Sequence, residues 1–164
     1  MAVSIIFSFN SLDAGINLVD GGVPDVCVLA FDTQLNYDKM CKLNFAVRRG
    51  AFYVATHPDL VCPAKDESIP DVGSFIAMFE KSTGRVPDVI VGKPYTGMGD
   101  AVLAKFGVKP DEITMVGDRL STDIKFANNN GFNSILVLSG ETTREILAES
   151  EDKPHLVLES AREI

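Results

Sequence analysis

Short runs of apolar, β-branched and aromatic residues recur at 3–9, 26–31, 51–56, 88–91, 113–116, 134–138 and 156–158, which predicts a strand at each. Helical patterns fill most of the gaps. Met40, Leu43, Ala46 and Val47 share one face of a helix that stops at Gly50, and Phe75, Ile76 and Phe79 share a face after Gly73-Ser74. A third helix begins near Met98, carries Ala101, Val102 and Phe106, and stops at Gly107; a fourth carries Ile124 and Ala127 and ends at Gly131. Strands alternating with helices predict an α/β fold of the Rossmann-like, three-layer type, a mostly parallel sheet with helices on both faces. The Met and Phe residues on those helices are expected to belong to its core.

Unusual polar residues sit in the loops that follow strands: Thr56-His57-Pro58-Asp59, Gly92-Lys93-Pro94, Gly117-Asp118, and Ser139-Gly140-Glu141-Thr142-Thr143. If the strands are parallel, these loops gather along the carboxyl edge of the sheet, where open α/β sheets bind ligands. The sequence contains no internal repeat and no flexible linker; Gly21-Gly22-Val23-Pro24 and the 63–70 segment are the candidate hinges.

With 164 residues, 46% of them hydrophobic, the chain has enough apolar surface for one sizeable core or two small lobes of a soluble globular protein. Its formal net charge of -8 argues against nucleic acid or an anionic membrane as partner, since both reward clustered Lys and Arg. Cys27, Cys41 and Cys62 form an odd set without a Cys-x-x-Cys pair, so the expectation is reduced thiols in a cytoplasmic protein. The apolar opening lacks a basic start and reads as a first strand, and no apolar run approaches the ~20 residues of a membrane helix.

The most informative stretch is Val116-Gly117-Asp118-Arg119-Leu120-Ser121-Thr122-Asp123-Ile124. It places two carboxylates where an apolar strand gives way to a helix, with Gly117 allowing a sharp turn. Lys93 is pinned between Gly92 and Pro94 at another strand end. A lysine there can neutralise a phosphate and an adjacent carboxylate, while Asp118 and Asp123 hold Mg2+ directly or through water. The structural alternative is that Asp118 makes a turn, Asp123 caps the helix and Lys93 belongs to an ordinary loop.

In combination, Gly92-Lys93-Pro94, the Gly117-Asp118 to Asp123 stretch and Ile135-Leu136-Val137-Leu138-Ser139-Gly140 resemble the third and fourth motifs of haloacid-dehalogenase superfamily phosphatases. The chain is most similar to the 4-nitrophenylphosphatase and phosphoglycolate phosphatase group, which carries a large α/β cap. Pro24-Asp25 through Phe31-Asp32, Tyr37-Asp38-Lys39, Gly50-Ala51, Ala55-Thr56-His57-Pro58-Asp59, the 70–74 segment and Thr83-Gly84-Arg85 resemble that cap. The resemblance implies a cap-like region at 1–88 and the C-terminal half of the core at 89–164. It also implies hydrolysis of small phosphorylated metabolites with Mg2+, Lys93 stabilising nucleophile and phosphate, Asp118 ligating the metal and Asp123 supporting it. Thr56, His57 and Asp59 would face the substrate. The family usually has Asn where His57 stands, which bears on substrate preference; a packing or surface role is the alternative for His57. His155, just before the last strand, reads as structural.

The family's first motif, a strand ending in Asp-x-Asp-Gly, supplies the attacking carboxylate and the proton donor, and no Asp-x-Asp occurs in this chain. The nearest outline is Ile5-Ile6-Phe7-Ser8-Phe9-Asn10-Ser11, with Ser8 and Asn10 in place of the carboxylates. A hydroxyl without a base is a poor nucleophile, and an amide exchanges no proton usefully. Two placements remain open. In one, 3–9 is the first strand of the cap, Ala14-Gly15-Ile16 leads to the next, and the front of the core is absent. In the other, the chain imitates a capless phosphatase with Ser8, Thr56, Lys93 and Asp118 at the four motif positions. Three functions follow: a Mg2+-dependent phosphomonoesterase with impaired chemistry, a non-catalytic phosphate- and metal-binding remnant, or a structural partner whose open sheet edge drives oligomerisation, including with itself.

Overall fold

The computed structural model describes residues 2–5, 17–20 and 22–164; Ser8, Asn10, Ala14-Gly15-Ile16 and Gly21 lie outside the described residues. The chain folds as two compact units, Met1–Val91 and Gly92–Ile164. The unit boundary coincides with neither candidate hinge. It falls where strand pairing stops at Ile90 and the loop of Lys93 begins.

In the first unit, β1 (Ala2–Ile5), β2 (Asn17–Leu18), β3 (Val26–Leu29), β4 (Phe52–Ala55) and β7 (Val89–Ile90) form a parallel sheet in the order β2-β1-β3-β4-β7. A period of two buries Cys27 and Leu29 on β3, and Tyr53 and Ala55 on β4. Leu43, Ala46 and Val47 of α1 (Tyr37–Arg48) and Val72 and Phe79 of α2 (Val72–Thr83) complete that core. Asn36 caps α1 by accepting from Lys39 N at 3.1 Å. Arg85 ties the unit together, donating to the carbonyls of Val47 (2.8 Å) and Ala51 (3.1 Å) and to both carboxylate oxygens of Asp88.

Two features of this unit differ from the sequence expectation. The 63–70 segment, read as a hinge, is spanned by an antiparallel pair of β5 (Val61–Cys62) and β6 (Ile69–Pro70). Helix α2 starts before Gly73, because Asp71 supplies the N-cap, its side chain accepting from Val72 N at 2.7 Å. Gly73 is therefore helical, and it gives the backbone room to approach Pro58 and Asp59.

All three cysteines are free thiols, with Cys27 buried and Cys41 and Cys62 half-buried. Burial pushes the Cys27 thiol up to about 11, with the nearby Arg85 charge only partly opposing it. The folded state then keeps a proton that the unfolded chain releases, so this stability is intact below the free-thiol value and is lost as pH rises through about 11. Urea unfolding should show a fall in midpoint between pH 8.5 and 11 that Cys27→Ala flattens, and a thiol reagent should reach Cys27 only after unfolding.

In the second unit, β8 (Thr114–Gly117), β9 (Asn133–Val137) and β10 (Leu156–Leu158) form a parallel sheet in the order β10-β9-β8. Its helices are α3 (Gly97–Phe106), α4 (Lys125–Asn130) and α5 (Arg144–Glu149), and α3 and α4 end at Gly107 and Gly131 in the left-handed conformation. Leu120, Ile124 and Leu136 form one buried cluster and Phe126, Ala127 and Phe132 another. His155 joins β10 to β9, its Nδ1 lying 2.9 Å from the Ser134 hydroxyl and accepting from Ser134 N. No helix among the described residues is long and apolar enough to cross a membrane.

Candidate functional site

Gly117 pairs with Leu136, so β8 and β9 end side by side and their following loops meet at one edge of the sheet. Asp118 is the first residue beyond β8. Its Oδ2 accepts from Glu141 N at 2.9 Å, and its carbonyl accepts from Thr142 Oγ1 at 2.6 Å and Thr142 N at 3.2 Å. Its Oδ1 has no hydrogen-bond partner among the described residues.

After Arg119 the chain makes one wide π-type turn, Leu120–Ile124, before α4. The turn folds Asp123 back on its own start, where Oδ2 accepts from Arg119 N at 3.2 Å. Oδ1 is paired with the Lys93 ammonium. The Asp123 side chain is 7% exposed, against 37% for Lys93. A Cβ on Gly117 would lie 2.4 Å from Asp123 Cγ, so only glycine lets this carboxylate sit against the strand end. Lys93 is aimed by its loop, which α4 holds through Asn129 Nδ2 donating to Pro94 O at 2.7 Å.

The second unit thus brings together Lys93, Asp118 and Asp123. With Asp123 occupied by Lys93 and a main-chain N–H, Asp118 Oδ1 is the carboxylate oxygen left to meet a cation. An oxygen-only site with few protein ligands suits Mg2+, which keeps several waters and uses one or two carboxylates with substrate phosphate.

Thr56, His57 and Asp59 belong to the first unit, in the loop after β4. Thr56 Oγ1 lies 2.9 Å from His57 Nδ1, and His57 Nε2 lies 2.8 Å from Asp71 Oδ1. A carboxylate only accepts, so Nε2 carries hydrogen; in the tautomer with hydrogen on Nε2 alone, Nδ1 accepts from the Thr56 hydroxyl. Ligand atoms of His57, Asp59 and Asp71 lie within 4.8 Å of one another, close enough to share a cation. The imidazole makes this set a poorer match to Mg2+ than Asp118. Asp71 was not among the residues singled out by sequence. Its signal was present, an Asp directly before a helical pattern, but its partner His57 is 14 residues away.

The chain is similar in sequence and fold to known proteins. A family model described as HAD-hydrolase-like matches residues 90–164. The chain is 40% identical over 129 residues to chloroplastic phosphoglycolate phosphatase 1A of Arabidopsis thaliana, covering 77% of this chain and 35% of that protein. Among solved structures, 4-nitrophenylphosphatase of Thermotoga maritima is similar with a TM-score of 0.86 and 44% identity, over 96% of this chain and 62% of that one. Glycerol phosphate phosphatase of Mycobacterium tuberculosis, in complex with magnesium, is similar with a TM-score of 0.87 and 27% identity, over 95% and 49%. The chain spans about half, or less, of the length of the curated relatives it matches.

Parallel α/β sheets, the Lys93 loop and the Gly117-Asp118 turn define a hydrolase-like fold of the haloacid-dehalogenase type, and the chain belongs to that superfamily. Its similarity within the superfamily is to the 4-nitrophenylphosphatases and phosphoglycolate phosphatases.

Proposed function

We propose that the chain carries the phosphate- and cation-binding half of a Mg2+-dependent phosphomonoester hydrolase for small phosphorylated metabolites, with residues 1–88 as its cap-like region and 89–164 as the C-terminal half of its core. The observation that carries this reading is that the Lys93–Asp123 pair and an Asp118 Oδ1 without a hydrogen-bond partner among the described residues both belong to the loops at the carboxyl edge of a parallel sheet. Asp123 holds the Lys93 ammonium at the end of the strands, where it would meet a phosphate oxygen through a charge-assisted hydrogen bond. Asp118 would ligate Mg2+ through Oδ1, with Asp123 reaching it through water. Bound Mg2+ would offset the anionic charge of the ester. Thr56, His57 and Asp59 would be the substrate-binding residues of the cap-like region. The membership of β1 in the sheet of the first unit favours placing the opening strand in the cap rather than at the first motif.

A second reading is favoured by a specific observation: no Asp-x-Asp occurs among the 164 residues. Without a carboxylate to attack phosphorus, the chain would bind phosphate and Mg2+ as a non-catalytic module or partner subunit. One assay separates the two. Mg2+-dependent turnover of 4-nitrophenyl phosphate that disappears in Asp118→Ala is the result expected of the hydrolase. Binding of phosphate and Mg2+ without turnover identifies the module, and loss of neither activity nor Mg2+ binding in Asp118→Ala would overturn both.

A further inference from the structure

The loop after β9 meets Asp118 with three consecutive residues, Gly140, Glu141 and Thr142. A Cβ on Gly140 would lie 1.9 Å from Asp118 Oδ2 and 2.4 Å from its Cγ, so the carboxylate packs directly on the Gly140 backbone. The Glu141 amide donates to Oδ2. The buried Thr142 donates from both its hydroxyl and its amide to the Asp118 carbonyl. A further contact ties the same two loops, the Arg119 guanidinium pairing with the Glu141 carboxylate.

Each contact has a distinct consequence. The Glu141 amide fixes the rotation of the carboxyl group by occupying one oxygen, which leaves Oδ1 as the oxygen to present. Thr142 engages the carbonyl twice, so Asp118 offers its side chain rather than its main chain as a ligand. Gly140 removes the bulk that would turn the carboxylate away. Ordering these groups before a cation arrives lowers the cost of binding it.

We infer that Gly140, Glu141 and Thr142 form a positioning clamp that aims Asp118 Oδ1 at the cation, and this rests on the reading of Asp118 as the ligand. Outer contacts of this kind are worth about 10–100-fold in metal affinity.

The test is Mn2+ affinity, read by electron paramagnetic resonance of the intact chain without substrate, alongside the thermal midpoint of each variant. Thr142→Val keeps shape and burial while removing the hydroxyl, and should weaken Mn2+ binding about tenfold. Thr142→Ser restores the hydroxyl and should recover most of that affinity. Gly140→Ala, at an exposed site, provides a second route if Thr142→Val folds poorly, and should weaken binding by up to about 100-fold with little change in midpoint. Wild-type affinity in both Thr142→Val and Gly140→Ala, with binding lost in Asp118→Asn, overturns the clamp alone. Unchanged binding in Asp118→Asn overturns the reading of Asp118 as ligand, and the clamp with it.

Discussion

Lys93→Ala is expected to weaken the affinity of the chain for inorganic phosphate by about 10–100-fold, the value of one charge-assisted hydrogen bond. It should also lower the unfolding free energy. Asp123 is 7% exposed and shares its Oδ1 with the Lys93 ammonium, so removing the lysine leaves a buried carboxylate whose one remaining partner among the described residues is the Arg119 amide. Breaking a fully buried pair costs about 3–5 kcal/mol; the ammonium end is partly open to water, which brings the expectation here to about 2 kcal/mol. Isothermal titration with phosphate and urea unfolding measure the two effects separately. Lys93→Arg keeps the charge but replaces a compact ammonium with a planar fork, and should retain more stability than phosphate affinity. If Lys93→Ala binds phosphate as tightly as the wild type, Lys93 does not face the anion.

Gly73→Ala should destabilise the first unit by about 2–3 kcal/mol, near the upper end for overpacking a close contact. A Cβ there would lie 2.1 Å from Pro58 O and 2.8 Å from Asp59 O, both backbone atoms with no rotamer to change. The Gly73 amide also donates to Asp59 O at 2.8 Å, and this bond would be strained as α2 moves from the loop. The same displacement should pull His57 away from Asp71, visible as a change in the His57 imidazole resonances. Gly84→Ala is the control. Gly84 sits at φ 73 with nothing within 4 Å of a Cβ, so its cost is conformational, about 1 kcal/mol, and His57 should be untouched. Equal thermal midpoints for Gly73→Ala and the wild type would show that α2 and the loop can part without loss.

The strand-end positions of Lys93 and Asp118, and the place of Asp123 at the start of the following helix, were legible because each is set locally. An apolar strand, a glycine turn and a helix declare their own geometry within a few residues, and the strand end says which edge a side chain occupies. The left-handed glycines at 84, 107 and 131 follow from the same near-neighbour physics, since a helix that ends in that conformation favours a residue without a Cβ. The roles of Asp71, Asn129 and Thr142 were not legible. Each acts on a residue 14, 35 and 24 positions away, respectively, and nothing in the local pattern specifies such a partner. The antiparallel pair across 63–70 was missed for a related reason: two-residue strands carry no periodicity.

From sequence alone came the alternating α/β plan, the acidic balance, the strand-end placement of the lysine and the two carboxylates, and the lack of an Asp-x-Asp. These depend on composition and on interactions within a few residues. Tertiary structure decided how the strands are shared among three sheets, which oxygen of Asp118 stays open, and that His57 is held by Asp71. Those outcomes depend on register and packing between distant segments, where one residue of slip would exchange the faces of a strand and separate every such pair.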